Sequence, residues 1–134
     1  MKWYRKAADA GDTDAMGLIG VLYENGWGVS QDYTEAMRWY RKAADAGNAD
    51  AMNQIGVLYH NGWGVSQDYT EAMRWFRKAA DAGDTVAMCN TGVLYHKGCG
   101  VSRNYTEAMK WYRKAAEAGH SDAAIELKRL RQQK

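Results

Sequence analysis

Cysteine is scarce in this chain: Cys89 and Cys99 are the only two among 134 residues. That count neither demands an oxidising compartment nor excludes one. Long apolar runs are missing as well, so no transmembrane helix is expected. The opening residues, Met1 to Gly11, include early basic residues but no apolar core or cleavage site, so no signal peptide is visible. These absences name no compartment. Charge of one sign is also lacking: 18 Lys and Arg oppose 16 Asp and Glu, a net +2 that points to no particular partner. At 46% hydrophobic and 25% charged residues, the composition is that of one ordinary globular domain.

What the chain does have is a period. Trp3, Trp39, Trp75 and Trp111 stand 36 residues apart, as do Gly11, Gly47, Gly83 and Gly119. Thirteen of the fourteen glycines fall at four positions of this repeat. A period of this length marks a solenoid, in which each unit buries its apolar face against its neighbours. Such a chain offers a surface rather than a reaction centre. The expected division is a partial repeat over 1–13, full repeats over 14–49, 50–85 and 86–121, and a capping helix over 122–134. The first two full copies differ at only six of 36 positions.

Each copy carries two helical patterns separated by a glycine-bearing turn. In helix A, Ala15, Met16, Ile19, Leu22 and Tyr23 recur at helical spacing and form one apolar face. In helix B, Tyr33, Ala36, Met37, Trp39, Tyr40, Ala43 and Ala44 do the same, with Glu35, Arg38, Arg41, Lys42 and Asp45 opposite. Asp32 followed by Glu35 is close to a capping box, repeated as Asp68 with Glu71 and Asn104 with Glu107. Gly26 and Gly28 end helix A, and Gly47, Gly83 and Gly119 stop each helix B. Gly20, Gly56 and Gly92 sit inside helix A, where glycine costs about 1 kcal/mol against alanine. A cost repeated three times predicts close approach of the partner helix.

The two ends differ. Ala123, Leu127 and Leu130 continue the helix A core pattern, but Lys128 and Arg131 replace the glycine and tyrosine, which predicts a polar terminal cap. Met1-Lys2-Trp3 aligns with Met109-Lys110-Trp111, so the chain opens partway into a helix B. A fragment of a longer array is the preferred reading of that opening, and weak self-association through the uncovered N-terminal end is the expectation attached to it.

The segment from Ala15 through Leu22-Tyr23, then Gly26-x-Gly28-Val29, Asp32-Tyr33, Ala36, Trp39-Tyr40-Arg41-Lys42-Ala43-Ala44 and Gly47, resembles the Sel-one-like repeat family, relatives of the tetratricopeptide repeats. The pattern recurs in all three copies and partially at both ends. The resemblance implies an all-α, right-handed superhelix that mediates protein–protein contacts. It also implies that helix A lines the concave groove and helix B the outside. Fold alone does not fix function.

Helical spacing then gives the free face of helix A. It comprises Asp14, Gly17, Val21 and Glu24 in the first copy, and Asp50, Asn53, Val57 and His60 in the second. Val86, Cys89, Val93 and His96 follow in the third, with Lys97 at the edge. Differences between copies gather on this helix, at Gly17/Asn53/Cys89, Leu18/Gln54/Asn90 and Glu24/His60/His96. Variation there, against constancy at structural positions, is the pattern of a groove binding a protein or peptide, although drift at unconstrained surface sites looks the same. Trp27 and Trp63, between the loop glycines, are candidate interface anchors or covers for the adjacent turn.

Other chemistries are less well supported. His60 and His96 should be neighbours on adjacent helices, but Cys89 lies two turns from His96, too far to share a metal, so no metal or cofactor is expected. The helix between Cys89 and Cys99 holds them too far apart for a disulfide, so two free thiols are expected. The enzyme alternative is the beta-lactamase or penicillin-binding type associated with some cysteine-rich relatives. No Ser-x-x-Lys motif supports it: Ser30, Ser66, Ser102 and Ser121 are followed at the third position by Tyr33, Tyr69, Tyr105 and Ala124. The basic residues of helix B are interleaved with Glu35, Asp45 and their copies, a solvated face rather than a phosphate track, so no nucleic acid is expected.

Overall fold

A computed structural model describes residues 2–132, and Met1, with Gln133 and Lys134 of the expected capping segment, lies outside the described residues. Among the described residues there are eight helices and no strands. They are α1 (Lys2–Asp9), α2 (Thr13–Asn25), α3 (Tyr33–Asp45), α4 (Ala49–Asn61), α5 (Tyr69–Asp81), α6 (Thr85–Lys97), α7 (Tyr105–Glu117) and α8 (Ser121–Gln132). The A helices are α2, α4 and α6, with α8 in the same register. The B helices are α3, α5 and α7, with α1 in theirs. Each helix packs chiefly on the one before and the one after it, the contact order of an α-solenoid.

Local chemistry sets the helix ends. The carboxylate of Asp32 accepts from the Glu35 amide at 3.0 Å, and Asp68 and Asn104 cap α5 and α7 in the same way. Asp12, Asn48 and Asp84 cap the A helices. Each A helix ends on a glycine in the left-handed region, Gly26 at φ 68°, whose amide closes on Leu22. The following loop is tied back to the helix: the Asp32 amide donates to the Tyr23 carbonyl at 2.8 Å, and Gln31 Nε2 to the Glu24 carbonyl at 2.8 Å.

Two packing relations hold the stack together. Within a repeat, the B helix lays an aromatic ring on the mid-helix glycine. A Cβ at Gly56 would lie 2.6 Å from two ring carbons of Phe76, and one at Gly20 would meet Tyr40 at 2.5 Å. This is the close approach that the repeated glycine predicts. At each repeat junction, the B-helix tryptophan bridges the preceding B helix and the A helix of its own repeat. Trp39 packs with Ala8, Ala15 and Ile19, Trp75 with Ala44, Ala51 and Ile55, and Trp111 with Ala79, Ala80 and Ala87. Removing such a buried ring would cost about 3–5 kcal/mol. The small alanines opposite it are what allow the helices to come close enough.

Candidate functional site

The A helices stand side by side along one face, and the clefts between them are its main relief. The first, about 280 Å³, lies between α2 and α4 and is lined by Asp14, Gly17, Leu18, Val21, Tyr40, Asn48, Asp50, Ala51 and Gln54. A second, about 140 Å³, lies between α4 and α6, against Val57, His60, Asn61, Asn90 and Val93. The third, about 490 Å³, opens between α6 and α8 and includes Cys89, Val93, His96, Lys97, Ile125, Glu126 and Arg129. Most of the candidate groove residues therefore share one face.

Three of those residues are placed differently from a free face. Asn53 is buried and accepts a hydrogen bond from Asn90 Nδ2 at 3.0 Å, bridging α4 to α6. Cys89 is buried beside Tyr112 and Leu127. Both occupy the repeat position of Gly17, and that position turns toward the next A helix rather than into open solvent. Glu24 is half-buried and accepts from the Tyr40 hydroxyl at 2.7 Å. Burial first, and then the neighbouring Glu24, holds the Tyr40 phenol well above its ordinary range. It is a fixed neutral donor at any ordinary pH.

The histidines have local partners. His60 packs edge-on against Tyr69 at 5.2 Å, and His96 against Tyr105 at 5.5 Å. Among the described residues, no group of three His, Cys, Asp or Glu side chains comes together to hold a metal. Both thiols are free, Cys89 within α6 and Cys99 in the turn after it. Burial, with Asp122 and Glu126 nearby, pushes the Cys89 thiol up to about 11, the reverse of what a nucleophile needs.

The loop tryptophans separate into two situations. Trp63 stacks on Tyr33 of the preceding B helix and keeps 40% of its surface exposed, whereas Trp27 is 60% exposed. Sequence reasoning left Leu18, Gln54 and Asn90 out of the site, although their variation between copies was a signal that could have included them. Tyr40 and Asn48 also differ between copies, as Tyr40/Phe76 and Asn48/Asp84, but they lie outside helix A and only the packing brings them to the cleft.

The opposite face is largely self-satisfied. Arg38 and Arg74 pair with Glu35 and Glu71, and Lys110 approaches Glu107 at 3.8 Å. Lys42, Lys78 and Lys114 lie 4.5, 4.9 and 4.7 Å from the ring centroids of Trp39, Trp75 and Trp111. Cations held over indole rings and paired with carboxylates do not form an open phosphate track.

A stack of helical pairs, with three clefts between successive A helices, has the build of a helical-repeat interaction scaffold. The Sel1 repeat model matches residues 1–12, 13–48, 49–84 and 85–120, and the chain belongs to the Sel1 repeat family. Sel1 repeat proteins are generally protein-interaction scaffolds. Among solved structures, the chain is similar to c5321, a protective antigen of uropathogenic Escherichia coli with an SLR fold, at 44% identity and TM-score 0.90. That match covers 95% of this chain and 27% of the other. A Sel1 repeat protein from Oxalobacter formigenes is 40% identical with TM-score 0.89, over 94% of this chain and 51% of that one. Helicobacter pylori cysteine rich protein B is 25% identical with TM-score 0.75, over 94% and 96% of the two chains. The chain thus spans about a quarter and a half of the first two relatives. No curated protein matches the sequence.

Proposed function

We propose that this chain binds a protein or peptide segment along the face built by α2, α4, α6 and α8, as a scaffold without catalytic chemistry. The observation that carries the reading is the alignment of three clefts between successive A helices, each lined by positions that vary between otherwise near-identical repeats. The outer face supports it by contrast, since Arg38 and Arg74 are already engaged with glutamates and Lys42 and Lys78 with indoles. Val21, Val57 and Val93 recur along the A face as half-buried apolar points, the kind of surface an extended segment can cover.

The test is amide-resolved NMR mapping of peptides selected from a random dodecapeptide library. Binding along this face shifts residues of α2, α4 and α6, and Val57→Glu with Val93→Glu weakens it about tenfold while the helical circular dichroism is kept. Shifts confined to the outer face around Arg38 and Lys42 would overturn the proposal.

A further inference from the structure

We infer that the cleft between α2 and α4 receives a long cationic side chain, lysine or arginine, presented by the bound segment. This inference rests on the groove reading above and specifies its partner.

One residue sets this cleft apart from the one between α4 and α6. Gly17 is the single glycine outside the four recurring positions. In the next repeat its place is taken by Asn53, whose buried side chain accepts a hydrogen bond from Asn90, and the space between α4 and α6 is only about 140 Å³. A Cβ at Gly17 would meet nothing within 4 Å. The missing side chain thus leaves an opening of about 280 Å³, just under the ~300–1,000 Å³ range of small-molecule sites. That is room for a side chain rather than for a cofactor.

The walls and the rim differ in character. Leu18, Val21, Ala51 and the Tyr40 ring supply apolar walls, and Leu18 is 44% exposed beside them. Asp14 and Asp50 also line the opening, one from the first turn of each helix. Neither takes part in the ion pairs found among the described residues, which join Glu35, Glu71, Glu107 and Glu126 to Arg38, Arg74, Lys110 and Arg129. Among the described residues, Asp14 meets the neutral Asn48 amide, at 3.3 Å. Asp50 faces another carboxyl, Asp84.

An apolar stem with a cationic head matches this arrangement, because lysine and arginine bury their methylenes while keeping the charge at the edge. An acidic side chain would meet two carboxylates. A purely apolar one would cover them without replacing the water it displaces. The positive ends of α2 and α4 offset part of the negative charge, so the apolar walls must contribute alongside the rim.

The experiment selects random dodecapeptides on the wild-type protein and on two variants, Asp14→Asn/Asp50→Asn and Gly17→Asn, each checked for intact helix by circular dichroism. The expected result is a lysine or arginine fixed at one register of the wild-type peptides. Their affinity should fall about tenfold on either variant, and the loss on the double variant should shrink in high salt. Peptides that shift A-face amides but carry no fixed cation, or that bind the variants as well as wild type, overturn this inference and leave the groove reading standing. Peptides that map to the outer face, or a selection that enriches none, overturn both.

Discussion

The indole of Trp63 lies on the ring of Tyr33, one repeat earlier, with centroids 5.3 Å apart and planes 20° from parallel. The contact joins the loop after one A helix to the start of the preceding B helix, and so fastens consecutive repeats at their edge. Trp27 holds the same place in its own repeat and is 60% exposed. Two identical residues in near-identical sequence therefore have different energetic weight. Replacing Trp63 by Ala should lower stability by about 1–2 kcal/mol, combining lost stacking with partial burial. Trp27→Ala should change it by no more than about 0.5 kcal/mol. Urea midpoints of the two variants check this, and equal losses would contradict it.

Gly56 and Gly17 make a second matched pair, both inside A helices. Alanine at Gly56 places a Cβ 2.6 Å from the Phe76 ring, and the resulting overpacking costs about 1–3 kcal/mol, more than the roughly 1 kcal/mol that helix propensity returns. Gly17→Ala meets no such obstacle and should stabilise by up to about 1 kcal/mol. Adding Phe76→Leu to Gly56→Ala should recover part of the loss, a coupling that thermal melts of the four-member cycle would show.

The junction between the second and third repeats carries a titrating contact that the first junction avoids. Burial first, and then Asp50, raises the Asp84 carboxyl from the ordinary 3.8 to about 6. A carboxyl with a raised folded-state value binds its proton more tightly in the native state than in the unfolded one. Stability is therefore lost as pH rises from about 3.8 through about 6, and the penalty is fully present above that. Asn48, the equivalent cap of α4, meets Asp14 with a neutral amide instead. Asp84→Asn keeps a good cap and removes the repulsion. Because the group is half-exposed and screened by solvent, the expected gain at pH 7 is only about 1 kcal/mol. It should vanish near pH 4. A gain that is the same at both pH values would contradict this account.

The groove positions show how far periodicity reaches. Spacing along helix A correctly sets Asp14, Val21, Val57, His60, Val93 and His96 on one face with the clefts. It also sets Asn53 and Cys89 there, and both are buried. Helical spacing gives an angle around one axis. It does not say from which side the next A helix arrives, and that side decides whether a residue at this angle meets solvent or a neighbour.

The sequence by itself determined the two-helix repeat and its 36-residue period, the caps Asp32, Asp68 and Asn104, and the glycine stops. It also determined the close approach at Gly20, Gly56 and Gly92. The caps and stops are local matters, settled within one or two turns of chain, and the glycine approach is legible because its cost is restated in each copy. Tertiary structure alone decided that Trp63 is stacked while Trp27 is largely exposed, that Asp50 confronts Asp84, and that Gly17 leaves a wider cleft than the one beside Asn53. Each of those depends on residues about a repeat apart, brought together by the angle and distance at which one helical pair rests on the next. A near-identical sequence can therefore acquire different surroundings in each copy.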